Sequence, residues 1–245
     1  MYTGRYYRTW VSRGRLCRFR IVRHESDIEI AAEYDLSIKA CEALHSIRRE
    51  LEDYASSHSE FLGSLSPVHV GPESPLMIRR MSAASRAWGV GPMAAVAGAV
   101  ASGVGRALTR WTDTVIVENG GDIYIRSRET VNCVLFAGEG SPFTGRVGFS
   151  VDAPDGKGVC TSSGTVGHSR SFGRADAVTV IADDCAEADA AATAIANRIK
   201  DPSDLEEQLE NIPGLDRIEG VIACCDGLLV SRGVRLLRMA GREEV

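Results

Sequence analysis

An α+β domain is the architecture this sequence predicts, and three observations predict it. Helical periodicities crowd the first half of the chain. Short alternating or apolar runs bounded by glycine crowd the second half. One alanine-rich helix, EADAAATAIAN at 187–197, returns after the strands. Helices followed by strands imply a mixed or antiparallel sheet packed with several helices, rather than regular β–α alternation. With no internal repeat and no low-complexity linker in its 245 residues, the chain is expected to be one domain over 1–245. An Arg-rich hairpin, about 1–30, forms part of it.

The elements follow in order. Residues 5–12 and 15–23 predict two strands, because RLCRFRIVR alternates apolar and basic side chains, as a sheet with one wet face does. SDIEIAA predicts a third strand. Asp35 then opens a long amphipathic helix, with Leu36, Ile38, Ala40, Cys41, Leu44, Ile47 and Leu51 at helical spacing. Breaks at 64–67 and 71–75 precede a second helix, about 76–88. The turn GVGP leads into a third, small-residue helix from Pro92 to about Arg110. From 113 onward TVIVENGG, DIYIRS, VNCVLFAG, RVGFSVD, GVCTSS and AVTVIA read as strands. The alanine-rich helix follows, and the tail adds GVIACCDG and LLVSRG as strands.

Composition narrows the function classes. A net charge of −5 argues against a general nucleic-acid binder. The charge is uneven, since residues 1–23 carry seven arginines and no acid, so this hairpin is either solvated or anion-facing. The N-terminus has no apolar core of the signal-peptide kind. The most apolar run, PMAAVAGAVASGVG, is too short and glycine-rich for a membrane span. The seven cysteines form no C-x-x-C pair, so neither a zinc site nor a disulfide framework is expected, and a reducing cytoplasm fits best. Cys224 and Cys225, in VIACC, and Cys160 read as core.

Four constellations carry chemistry. Gly89-Val-Gly91-Pro92 precedes a helix with Pro at its first position, which suits a tight turn or a phosphate at the exposed N–H groups. Glu118-Asn119-Gly120-Gly121-Asp122 carries the Asn-Gly hairpin signal. Its two glycines also permit close approach by a ligand, with Asn119 and Asp122 as polar handles. The segment from Thr161, Ser162, Ser163 and Gly164 to Arg174 packs hydroxyls, glycines, His168 and two arginines, as a surface loop or an anion-wrapping loop would. Asp189 and Thr193 stand four apart on one helix face. They serve either local helix needs, as a dipole partner and a back-bonded hydroxyl, or a hard cation such as Mg²⁺.

VENGGDIYI, CTSSG, His168 and VTVIA leading into EADAAATA stand in the order and spacing of the ApbE-like proteins, which this chain resembles over about 75–200. VGPMAAVAGAVA and GRADAVTV resemble most the shorter, UPF0280 branch, as does the N-terminal YRTW…RHESDIEI. The resemblance implies an ApbE-like fold and a Mg²⁺-dependent enzyme that moves FMN from FAD to a protein threonine. It implies a cation held by Asp189, Thr193 and the backbone carbonyl near Ala94. It implies FAD or FMN at Gly120, Gly121, Asp122 and the Thr161–Gly164 turn, with Gly91 and Asn119 beside them, and His168 as acid or base.

The chain departs from the family at two points. Ala94 and Ala95 stand where the family has a lysine, and SRSFGRAD replaces its Asp-Pro-x-Thr-Gly stretch. The alternative is therefore a non-transferase on the same fold that binds another small anion. Assistance to sulfide assimilation into homocysteine, connected with this branch in anaerobes, would give Cys160 a role. The expected partners are a small anionic or flavin ligand and a protein acceptor, without nucleic acid or membrane. Oligomerisation is left open.

Overall fold

The structure, a computed structural model, describes residues 16–164 and 173–239. The strand expected at 5–12 lies outside the described residues, as do His168 and residues 165–172 of the polar loop.

Among the described residues all strand pairing is antiparallel, so the sheet is not mixed. Strands β1 (Cys17–Arg23), β2 (Ser26–Ala32), β3 (Val115–Asn119), β4 (Asp122–Val134), β5 (Val147–Ser162), β6 (Ala177–Ala182), β7 (Gly220–Cys225) and β8 (Leu228–Arg232) lie side by side in chain order. A short β9 (Leu236–Arg238) pairs with β5.

Two helical excursions interrupt this meander. Helices α1 (Ser37–Ser57), α2 (Ser59–Gly63), α3 (Leu76–Trp88) and α4 (Val96–Leu108) stand between β2 and β3, and α5 (Cys185–Arg198) and α6 (Asp204–Glu210) between β6 and β7. They build one core against the sheet, containing Leu44, Met81, Val104 and Ile195. A second core, with Ile125, Phe149, Val151 and Ile222, fills the other side. Central strands therefore bury both faces. This explains why GVIACC, and AVTVIA apart from Thr179, are apolar and buried throughout.

Several boundaries differ from the sequence expectation. Asp35 does not begin α1. Its Oδ1 accepts the Ser37 N–H at 2.9 Å, and the helix starts at Ser37. Ile38 and Cys41 are exposed, because the face of α1 that meets the core carries Ala40, Leu44, Ile47, Leu51 and Ala55 instead. The third helix divides into a 3₁₀ turn, Pro92–Ala95, and α4. DIYIRS and the first half of VNCVLFAG form a single strand, β4, which ends at Val134, while RVGFSVD from Val147 and GVCTSS to Ser162 form β5. Register shifts between Ile125 and Val131 keep these two paired across polar residues that read as turns. Cys160, Cys224 and Cys225 are buried as expected.

Candidate functional site

The β3–β4 turn, the 3₁₀ turn before α4, the end of β5 and one face of α5 converge on a cleft of about 1700 Å³. The β3–β4 turn is a two-residue hairpin. Gly120 and Gly121 have φ of 71° and 104°, the left-handed conformation that Asn-Gly-Gly supplies without strain. Asn119 Nδ2 donates to the Ala97 carbonyl at 3.1 Å, and the Gly121 N–H donates to Glu118 Oε1 at 2.9 Å. The first bond ties the turn to the first turn of α4, and the second braces the hairpin itself.

Helix α5 brings Asp189 to the same place. Its own N-cap is Asp184, which accepts from the Ala186 and Glu187 N–H groups. Asp189 therefore does no capping work for α5. It reaches across to α4, whose N-cap Ala95 has no side-chain acceptor, and takes the Gly98 N–H on Oδ2 at 2.9 Å and the Ala97 N–H as well. The carboxylate faces the positive end of the neighbouring helix dipole. Gly98 permits the approach, since a Cβ there would meet the Cys185 carbonyl and lie 3.0 Å from Asp189 Cβ.

Burial dominates the electrostatics. Desolvation pushes Asp189 up to about 7 against the pull of the Gly98 and Ala97 N–H groups. Asp122, the first residue of β4, is held well above the usual carboxylate range, by burial first and then by the Asp189 charge. The Cys160 thiol and the Thr161 N–H hydrogen-bond to Asp122 and oppose that rise, yet its Oδ1 is buried without a partner among the described residues. Burial also raises the Cys160 thiol well above its ordinary value, so it is not a nucleophile in waiting.

Most of the expected site residues gather here. Gly91, Ala94, Asn119, Gly120, Gly121, Asp122, Thr161, Ser162, Ser163, Asp189 and Thr193 all line the cleft. Gly164 does not. Its N–H donates to the Ala175 carbonyl at 2.8 Å, and it packs on the Gly173 backbone, closing the base of the loop. Gly91 has a structural reason as well, because a Cβ there would collide with the Ser64 carbonyl. The Thr161 hydroxyl shares a 2.8 Å bond with Thr179, a cleft residue the sequence reading passed over. Asn197 also lines the cleft and was missed, although Asp189, Thr193 and Asn197 repeat one four-residue spacing. The cavity continues past the β3–β4 turn onto the other face of the sheet, where Ile116, Val131, Leu135 and Phe149 give it an apolar lining.

No three His, Cys, Asp or Glu side chains among the described residues are grouped to hold a metal. The oxygen-bearing side chains that line the cleft include the buried Asp122 and Asp189 carboxyls and the Thr193 hydroxyl. Hard oxygens of this kind suit Mg²⁺, which keeps several positions for water or phosphate, and a dication would favour the ionised form of both carboxyls against the burial that opposes it. They do not fit a thiolate-seeking metal.

Among the described residues no single helix is long and apolar enough to cross a membrane. A family model described as AbpE bacteria matches residues 8–211. A UPF0280 protein of Methanopyrus kandleri is 44% identical over 179 residues, which are 73% of this chain and 72% of that protein. Another, from Archaeoglobus fulgidus, is 36% identical over 222 residues, 88% of this chain and 91% of that one. Among solved structures, the apo flavinyl transferase ApbE of Pseudomonas stutzeri superposes with a TM-score of 0.60 at 14% identity, covering 89% of this chain and 93% of its own. The flavin transferase ApbE of Vibrio cholerae gives 0.53 at 13% identity, covering 89% and 96%. At such identities the two structures show a shared fold.

Proposed function

The chain belongs to the UPF0280 group of ApbE-like proteins, and from that premise we propose that it binds FAD or a related nucleotide diphosphate with Mg²⁺ and, with FAD, transfers FMN to a protein threonine, the threonine oxygen bonding to the FMN phosphorus as the diphosphate bond breaks and AMP leaves. The observation that supports this reading most is the stripe Asp189–Thr193, held against the α4 N-terminus and lining a cleft with a polar floor. Asp189, Thr193 and the Ala94 carbonyl are the groups to hold the cation. When bound, the cation supplies charge neutralisation at a diphosphate.

The chain's own residues do the rest. Ser162 and Ser163 offer hydroxyls and N–H groups to phosphate oxygens, and the Gly120–Gly121 turn lets a flat ligand approach the backbone. His168, from the same loop, serves as proton acceptor for the threonine hydroxyl or donor to the leaving phosphate. A cytoplasmic, single-domain protein is the setting we assign.

Calorimetric titration with FAD, with and without Mg²⁺, tests the reading. Binding that requires Mg²⁺ and is reversed by EDTA is expected. Absence of FAD binding to the folded chain overturns it. Incubation with a threonine-bearing acceptor then reads FMN transfer directly.

Ala94 and Ala95, in place of the family's lysine, favour a second reading in which the cleft binds another small anion without transfer. The sulfur version of that reading needs Cys160 as a reactive group. Its burial at 0% exposure and its raised thiol predict that Cys160→Ser keeps the fold and the ligand affinity, because a hydroxyl supplies the same single donor, shared between the Cys185 carbonyl at 3.3 Å and Asp122. Loss of binding in a folded Cys160→Ser chain would restore a chemical role for the thiol.

A further inference from the structure

Asp122 is 6% exposed, yet it forms part of the cleft floor, and its Oδ1 meets no donor among the described residues. The backbone fixes its position firmly. It follows the Gly120–Gly121 turn and stands in register opposite Asn119 on β3 and Cys160 on β5. The donors it has, the Cys160 thiol and the Thr161 N–H, both come from β5. Nothing from the helical side satisfies it, although that side presents Asp189, itself 9% exposed and with Oδ2 committed to the Gly98 N–H. A buried polar atom without a partner is costly, and two carboxylates in a dry site repel strongly unless something positive stands with them.

We propose that Asp122 is a second carboxylate ligand of the cation held by Asp189 and Thr193, binding it through the otherwise unpartnered Oδ1. The inference rests on the cation site of the preceding section and extends it. Two carboxylates balance one dication. The Thr193 hydroxyl, a backbone carbonyl, water and a substrate phosphate remain for the other positions, which suits Mg²⁺ or Mn²⁺. It also gives the Gly-Gly-Asp turn a purpose separate from flavin contact, because the two glycines let the carboxylate of β4 reach inward beneath the α4 N-terminus. The Cys160 thiol and the Thr161 N–H become positioning groups that hold Asp122 on its other oxygen.

The test uses the full chain and Mn²⁺ alone, without flavin, at pH 8, with free Mn²⁺ followed by electron paramagnetic resonance. The unaltered chain is expected to take up Mn²⁺, and D122N and D189N each to weaken it at least tenfold. Melting curves and near-ultraviolet circular dichroism verify that each variant is folded, and D122S serves in place of D122N if the amide is not accommodated. If folded D122N takes up Mn²⁺ as tightly as the unaltered chain while D189N does not, the pair shares a proton or Asp122 meets the flavin. The inference then falls and the cation site stands. If the unaltered chain takes up no Mn²⁺, both fall.

Discussion

Gly98→Val is expected to destabilise the protein by about 3–5 kcal/mol and, if Asp189 holds a cation as proposed above, to abolish its binding in whatever fraction remains folded. The reason is local and has no soft escape. A Cβ at Gly98 would run into the Cys185 carbonyl, with the Cys185 carbonyl carbon at 2.9 Å and Asp189 Cβ at 3.0 Å. Backbone atoms cannot rotate away as the tip of a long side chain can, so α4 and α5 must separate. Separation breaks the 2.9 Å bond from the Gly98 N–H to Asp189 Oδ2 and uncaps α4, which has no acceptor of its own. Even Gly98→Ala carries this collision, partly offset by the roughly 1 kcal/mol that Ala gains over Gly in a helix interior. Gly63→Ala is the control, since a Cβ there meets nothing within 4 Å. Thermal melts decide the matter. At about 2–4 °C per kcal/mol for a chain of this size, Gly98→Val should fall by roughly 10 °C and Gly63→Ala should hardly move. Equal melting of the two would mean that the α4–α5 contact is not what anchors Asp189.

That contact also marks how much the sequence discloses. Helix α3 was legible to the residue, because Pro75 and Gly89 bracket an amphipathic run and Gly89 takes the left-handed φ of 69° that ends it. The hairpin at Asn119–Asp122 was legible for the same reason, since turn chemistry is local. The fusion of four predicted strands into β4 and β5 was not. Arg126–Thr130 and Pro154–Gly156 carry turn residues, yet bulges absorb them, and Gly156, at φ 99°, leaves room for the Tyr124 ring. Short α2 and α6 and the three-residue β9 leave too little periodicity to read. In the site, Asp189 and Thr193 stood out through their spacing, but their surroundings did not. Asp189 caps a helix other than its own, and its neighbour Asp122 arrives from a strand far away in sequence. Long-range meetings of this kind leave no pattern in a linear reading; only the resemblance to a family brought the two segments together.

Apo protein is expected to lose stability as the pH rises from about 4 to about 7. In the folded chain Asp189 is raised from 3.8 to about 7, so the folded state holds a proton that the unfolded chain has already released. Across that window the native state binds more protons, and unfolding free energy falls with pH, levelling once Asp189 is ionised in both states. A carboxyl moved from 3.8 to about 7 sets the scale at about 4 kcal/mol. Asp122, also raised by burial, adds in the same direction. Asp189→Asn removes the titration while its amide oxygen still accepts the Gly98 and Ala97 N–H groups. At pH 8 the apo Asn variant should therefore melt above the unaltered protein, a reversal of the usual sign for a site mutation. Asp189→Ala removes the acceptor too and should lose about 1 kcal/mol of helix capping at every pH. A divalent cation opposes the repulsion that the pH rise creates. Mg²⁺ at a hundredfold excess over its dissociation constant should add about 2.7 kcal/mol at pH 8, much less at pH 5, and nothing to Asp189→Asn. Melting curves at the two pH values, with Mg²⁺ or EDTA, read all of these together. If unaltered protein is as stable at pH 8 as at pH 5 without metal, Asp189 is held ionised by something other than a cation, and its bonds to the α4 N-terminus are then its whole purpose.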